Sequence, residues 1–175
     1  MTAWTVRHAA ATDRRRSAVH EAGHFVVAMH VGIVAPEANI WPVTVSDFRK
    51  ETTWAGHAQF FNRRADGERP SPAENALVAV AGAVAEFAWK RETFFDTCDN
   101  GLWHEPDIMS ASDWAMTGCQ PGEPTDFLFD TIEAAFNLLG AGNGILWADL
   151  VKQSRLLIVD SRVFGKASGG NPVAI

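Results

Sequence analysis

Residues 17–29 form an apolar segment that carries two histidines and a glutamate: Ser17-Ala18-Val19-His20-Glu21-Ala22-Gly23-His24-Phe25-Val26-Val27-Ala28-Met29. The apolar residues on both sides of the histidines predict a largely buried α-helix. Four residues turn a helix by about 400° and advance it by about 6 Å, so the two imidazoles leave one face, one turn apart. The H-E-x-x-H pattern therefore predicts that His20 and His24 bind one zinc ion.

Glu21 is the expected general base of this pattern. It follows the first histidine directly, so its carboxylate can reach a water at the metal and take a proton from it. Alternatively, the three residues stand at chance spacing on a surface, or the histidines are satisfied by hydrogen bonds in the core. The apolar surroundings favour the metal, because a buried carboxylate without a partner is unfavourable.

The composition favours one compact domain. The chain has 175 residues, 47% of them hydrophobic, with seven Trp and eleven Phe, which is enough for a packed core. We expect an N-terminal leader over 1–12, the main domain over 13–164 and a flexible tail over 165–175. There is neither an apolar run of transmembrane length nor the apolar core of a secretory signal, so we expect a cytoplasmic protein without a membrane partner.

Charge and cysteine content exclude other classes of function. The net charge is −6 and the one basic run is Arg14-Arg15-Arg16, which predicts no nucleic-acid partner. We expect these arginines to cover an exposed helix start, with attraction of acidic substrate segments as the alternative. Cys98 and Cys119 have no C-x-x-C spacing, so we expect reduced thiols rather than a disulfide framework or a thiolate zinc site.

Local signals predict a mainly α-helical, α+β fold with a small sheet. Helices are expected over 14–31, 71–91, 110–117, 126–139 and 145–163, and strands over 39–45 and 54–61. We expect Thr12 and Asp13 to cap the first helix, and Pro42 to place the first strand at a sheet edge or to interrupt it. Residues 92–108 are expected to be irregular. The small residues of the second helix predict close packing against the motif helix.

A catalytic zinc takes three protein ligands and leaves a fourth position for water, so a third side chain is needed. His30 would serve only if a glycine broke the helix where this chain has Val27, so we expect it to point elsewhere. Glu86 interrupts a small, apolar helix face and is a candidate ligand or a partner of one. The other candidates lie in or just after the irregular segment: His104, Glu105, Asp107 and Asp113.

Three segments together resemble the zinc peptidase domain of the FtsH-type AAA proteases. They are residues 16–28 with the H-E-x-x-H pattern, residues 80–86 with their small side chains, and residues 110–117. The resemblance runs in order over residues 13–118 and implies a helical, zincin-like peptidase domain over 13–164 with a zinc cofactor. It implies His20, His24 and Asp113 as zinc ligands and Glu21 as the catalytic base.

The chain departs from that family in three respects. These residues contain no G-x-x-x-x-G-K-[ST] motif like that of the family's ATPase, we expect no membrane anchor, and an insertion around residues 94–105 lengthens the spacing from His24 to Asp113. A separate ATPase partner or a homo-oligomer is therefore compatible with the sequence. The insertion leaves Glu86 and Asp107 open as alternative third ligands.

These features predict a zinc-dependent endopeptidase that cleaves flexible or unfolded polypeptide. The strand around His57–Phe61 would align the substrate backbone as an added strand. Because the chain has no Tyr, His57 and His104 are the candidates for a side-chain donor to the oxyanion. Two alternatives stay open: a regulatory peptidase with a single target, and a silent binding or assembly module with a closed zinc site, for example one that both Asp113 and Glu86 fill.

Overall fold

The computed structural model describes residues 3–34, 36–43, 54–60 and 62–165. It is mainly helical with a small antiparallel sheet, which confirms the predicted fold class. The helices are α1 (Ala3–His30), α2 (Pro72–Trp89), α3 (Phe94–Asp99), α4 (Ala111–Thr117), α5 (Asp126–Leu139) and α6 (Trp147–Asp160). The strands are β1 (Glu37–Pro42), β2 (Trp54–Gln59) and β3 (Arg162–Phe164). In this part of the chain, no helix has both the length and the hydropathy of a membrane span.

The motif helix α1 begins earlier than predicted. Thr12 and Asp13 lie inside it, so the predicted cap at these residues is wrong. Asp13 instead accepts a hydrogen bond from the backbone N–H of Trp54 at 2.6 Å, which ties α1 to β2. The helix ends at His30, followed by Gly32 in the left-handed conformation with φ +79°. Glycine adopts that conformation without steric strain, so it stops the helix there.

α1 and α2 pack against each other almost backbone to backbone, as the small residues predicted. α2 begins at a capping box in which Ser71 and Glu74 exchange hydrogen bonds. A Cβ built on Gly23 of α1 would lie 2.6 Å from the Cβ of Ala85 and against the carbonyl oxygen of Ala81. This close approach fixes the distance from α1 to the residues of α2 that surround the histidines.

The sheet has the strand order β2-β1-β3, with both pairings antiparallel. The prediction that Pro42 makes β1 an edge or interrupted strand is therefore wrong. β3 pairs only with residues Glu37 to Asn39, so Pro42 lies beyond that pairing and its missing N–H breaks no bond of the ladder. Residues 44–53 and 61, which include the ends of both predicted strands, lie outside the described residues.

Two segments differ from the sequence prediction. The segment 92–108 holds α3 and two 3₁₀ turns, where Thr93 caps α3 and buried Trp103 donates its indole N–H to Thr97 at 3.0 Å. The last helix ends at Asp160 rather than near 163, because Ser161 takes a left-handed conformation and the chain turns into β3. Of the predicted tail 165–175, all but Gly165 lies outside the described residues.

Candidate metal centre

The structure brings His20 and His24 of α1 together with Asp113 of α4. One ligand atom from each residue lies within 4.8 Å of the other two. The two Nε2 atoms are 3.1 Å apart, and His24 Nε2 is 3.8 Å from Asp113 Oδ1. Ligands at zinc's usual bond lengths in a tetrahedral arrangement stand about 3.3 Å apart. This group could therefore hold a metal ion.

The other ring nitrogen of each histidine is fixed by a hydrogen bond. Nδ1 of His24 lies 2.7 Å from the carbonyl oxygen of Val78, and Nδ1 of His20 lies 2.8 Å from Oε1 of Glu86. A carbonyl oxygen only accepts, so His24 carries its proton on Nδ1. The lone pair on its Nε2 then faces Nε2 of His20. Lone pairs that face each other repel, and a proton or a cation between the two nitrogens relieves this repulsion.

The pKa values of the two histidines are driven apart. Burial, followed by the charge of His20, lowers the pKa of His24 to about 4. Burial also acts to lower the pKa of His20, but the hydrogen bond to Glu86 and nearby carboxylates, Glu21 first, outweigh it and raise that pKa. In the metal-free protein, His20 is therefore the ring that is protonated more readily. A metal ion at Nε2 competes with that proton, as is usual for histidine ligands.

Gly82 of α2 leaves room in front of both Nε2 atoms. A Cβ built there would lie 2.6 Å from Nε2 of His20 and would also contact Nε2 of His24. The Cβ of any other residue at position 82 would occupy space that an ion between the two nitrogens needs. Gly82 was not predicted to belong to the site, although a glycine inside a helix is a signal for close approach.

The carboxylate of Asp113 is oriented by a capping box at the start of α4. Its Oδ2 accepts hydrogen bonds from the hydroxyl of Ser110 at 2.6 Å and from the backbone N–H of Ser110 at 3.3 Å. Oδ1 is the oxygen that faces His24. The indole N–H of buried Trp114 donates to the carbonyl of Pro106 at 2.9 Å and holds α4 to the preceding turn.

Glu86 lies behind His20, on the side of Nδ1. Its other oxygen accepts from Nε of Arg16 at 2.5 Å. Burial acts to raise the pKa of Glu86, but the bond to His20 and the charge of Arg16 outweigh it and lower that pKa. Glu86 is thus an ionised partner that orients His20, and it is outside the group formed by His20, His24 and Asp113.

The carboxylate of Glu21 is buried next to this group. Its residue is 6% exposed. Burial, opposed by the nearby charge of His20, raises the pKa of Glu21 to about 7. A carboxylate with such a pKa can both take and return a proton near neutral pH.

Among the described residues, no strand pairs with the outer edge of β2, here called the free edge, and this strand passes over Glu21. The N–H of Ile40 donates to the carbonyl of Ser161, on the β3 side of β1. Ile40 and its partner Gly56 therefore form a non-hydrogen-bonded pair, and the backbone N–H and C=O of Gly56 point away from β1. The N–H of Trp54, two residues earlier, points the same way, to Asp13. Because backbone N–H and C=O groups alternate in direction along a strand, those of Ala58 also point away from β1. The peptide groups of Gly56 and Ala58 are thus directed at the free edge.

The other predicted site residues lie outside the metal group. His30 is the last residue of α1, and His57 is exposed on β2. The remaining three lie exposed in or beside the 3₁₀ turns: His104, Glu105 and Asp107. The structure therefore favours Asp113 over Asp107 as the neighbour of the two histidines.

Comparison with known proteins adds no family assignment. No protein-family model matches the chain, and no curated protein is significantly similar to it. The FtsH-type resemblance therefore rests on residues 16–28, 80–86 and 110–117 alone.

Proposed function

We propose that the protein is a zinc-dependent endopeptidase whose active site is of the FtsH type. The observation that carries the proposal is the arrangement of three potential ligands beside a buried carboxylate. His20, His24 and Asp113 present one ligand atom each to a common space, and the buried Glu21 lies next to them. Two imidazoles and one carboxylate are a ligand set typical of catalytic zinc.

The number of ligands supports catalysis over a structural role. A structural zinc site is closed by four protein ligands, whereas a catalytic site keeps one position open. Glu86, which was a candidate for a fourth ligand, is committed to Nδ1 of His20 and to Arg16. Within the described residues, the group contains three ligands only.

The proposed chemistry divides between the ion and the chain. Zinc, when bound, supplies Lewis acidity that polarises a peptide carbonyl and lowers the pKa of water. Glu21 takes the proton from the attacking water and returns it to the amine that leaves. Glu86 and the carbonyl of Val78 keep both imidazoles in the tautomer that exposes Nε2.

The free edge of β2 supports a polypeptide substrate in extended conformation. The outward peptide groups of Gly56 and Ala58 can pair with a substrate backbone, as in β-strand addition. Gly56 lies against Glu21, so a strand that pairs here is held beside the proposed base. A flexible or unfolded segment adopts this conformation most readily, because it has no fold to disrupt.

The test measures zinc content and casein cleavage for the wild type and two variants, Glu21→Gln and Asp113→Asn. We expect Glu21→Gln to keep one zinc per chain and to lose cleavage at least a hundredfold, since general-base catalysis typically contributes about 10²–10⁴ in rate. Asp113→Asn should lose zinc. Glu133→Gln, an exposed change on α5, is the control and should behave as the wild type.

Two results would overturn the proposal. Full cleavage by Glu21→Gln would remove Glu21 from the chemistry. Stoichiometric zinc with no cleavage by the wild type, against casein and against a chemically unfolded protein, would favour the silent binding or assembly module instead.

A further inference from the structure

A cavity lies close to the proposed active site, on the side of His24. It has a volume of about 370 Å³, and its lining includes the apolar side chains of Ile33, Phe60 and Met116. Two asparagines, Asn62 and Asn75, also line it. No charged residue of the described chain lines it.

The walls of the cavity continue directly from the site. The ring of Phe60 lies edge-on to the ring of His24, with their centres 6.5 Å apart. Met116 follows Asp113 by one turn of α4. Asn75 precedes Val78, the hydrogen-bond partner of His24, by one turn of α2. One turn is about 5.4 Å, a distance that a long side chain of a bound peptide spans.

Asn75 is the one half-buried polar residue of the lining. Its backbone N–H bonds to the carbonyl of Ser71 within α2, and the residue lines the cavity. An amide offers both donors and an acceptor without charge. It can therefore satisfy the polar end of an incoming side chain, whereas a charged end would lose its hydration without gaining an opposite charge.

We propose that this cavity binds a long, uncharged side chain of the substrate next to the cleaved bond, and that Asn75 determines this specificity. The inference rests on the proposed endopeptidase function. Glutamine and methionine have the required length, with stems that fit the apolar walls. Glutamine also offers an amide that can pair with Asn75. Glutamate and lysine have similar lengths but carry a charge, so the cavity rejects them.

The first test uses binding, so that it does not depend on turnover. Four peptides differ at one residue, which is Gln, Met, Glu or Lys, and the variable residue is placed in turn on each side of the central bond. Fluorescence anisotropy measures their binding to zinc-loaded Glu21→Gln protein. At one of the two positions we expect Gln and Met to bind at least tenfold more tightly than Glu and Lys. Equal binding of the charged peptides would overturn the proposal, as would no measurable binding of any peptide.

The second test changes the charge of the cavity. Asn75→Asp in the Glu21→Gln background adds a carboxylate in the first turns of α2, where the helix dipole favours it and the fold should persist. We expect the lysine peptide to gain at least fivefold in affinity and the glutamine peptide to lose affinity. Asn137→Asp, the same change on the exposed side of α5, is the control. Equal effects of the two changes would contradict a role for Asn75.

Cleavage assays with the wild type separate this inference from the proposed function. If the peptides bind in the expected order but none is hydrolysed, the endopeptidase proposal fails and the cavity assignment stands. If all four are hydrolysed at equal rates, and Asn75→Asp changes none of them, the endopeptidase proposal stands and the cavity assignment fails.

Discussion

The backbone of Gly56 lies directly against the carboxylate of Glu21. A Cβ built on Gly56 would come 2.5 Å from Oε1 of Glu21, far closer than real Cβ contacts allow. The position of the proposed base is thus set by a strand from a different part of the chain. Glycine inside a strand commonly marks such a close approach.

Gly56→Ala should therefore displace the base without removing it. We expect kcat to fall about tenfold to a hundredfold, because general-base catalysis depends on hydrogen-bond distance to the reacting proton. Zinc content should stay at the wild-type level, since the ligands do not contact Gly56. Steady-state kinetics with a fluorogenic peptide and metal analysis measure the two quantities. Gln59→Ala, an exposed change on the same strand, is the control, and an equal fall in kcat there would point to general damage to β2.

Gly82→Ala should weaken zinc binding, because the added methyl group would occupy the space in front of both Nε2 atoms. We expect at least a tenfold loss of affinity in a competition titration with a chelating dye. The helix itself should not suffer, since alanine is the better helix former by about 1 kcal/mol. The reverse change at the next residue, Ala83→Gly, is the matched control. If that variant loses as much affinity as Gly82→Ala, helix stability rather than space would explain the effect.

Glu86→Gln should lower zinc affinity by about tenfold to a hundredfold, the range found when the partner of a metal-binding histidine is altered. The amide oxygen can still accept from Nδ1 of His20, but the negative charge that favours a cation is lost. The same dye competition measures the change, with Glu133→Gln as the exposed control. An unchanged affinity would show that orientation by Glu86 is dispensable.

The metal-free protein should lose stability as pH rises through the pKa of Glu21. Its folded-state pKa of about 7 lies above the ordinary value of 4.5, so the folded state binds more protons than the unfolded state between these pH values. The contribution of Glu21 to the free energy of unfolding therefore falls by about 3 kcal/mol between about pH 4.5 and about pH 7.

Glu21→Gln removes this dependence, because the amide is neutral at every pH. In EDTA the variant should match the wild type near pH 4.5 and exceed its stability by up to about 3 kcal/mol at pH 8. Urea unfolding at pH 4.5, 6 and 8 measures the difference. A difference in the free energy of unfolding that stays constant across the three pH values would contradict a buried Glu21 that holds a proton.

Local rules predicted part of the site correctly. The four-residue spacing of His20 and His24 on a helix places both rings on one face, whatever the rest of the chain does. The Ser-x-x-Asp pattern at Ser110 is a local signal of the same kind that was not among the predictions, and the capping box there orients Asp113. Both features depend only on residues that are close together in the chain, so they can be predicted without the tertiary structure.

Other parts of the fold were missed because they depend on distant partners. The segment around Trp103 forms α3 and turns that pack in the core, where tertiary burial overrides a weak local signal. β3 is three residues long and exists because it pairs with β1. Gly56 and Gly82 carry no chemistry of their own, so their importance appears only when a second element approaches them.

The amino-acid order alone is enough to put two imidazoles and a carboxylate on one helix, because helical periodicity is a property of the backbone. It left Glu86, Asp107 and Asp113 as possible third ligands. Tertiary packing distinguished their positions: the contact of α1 with α2 puts Glu86 at Nδ1 of His20, and α4 brings Asp113 towards Nε2 of His24. The physical reason is that spacing along the chain fixes directions within a helix, whereas distances between helices are set by side-chain packing.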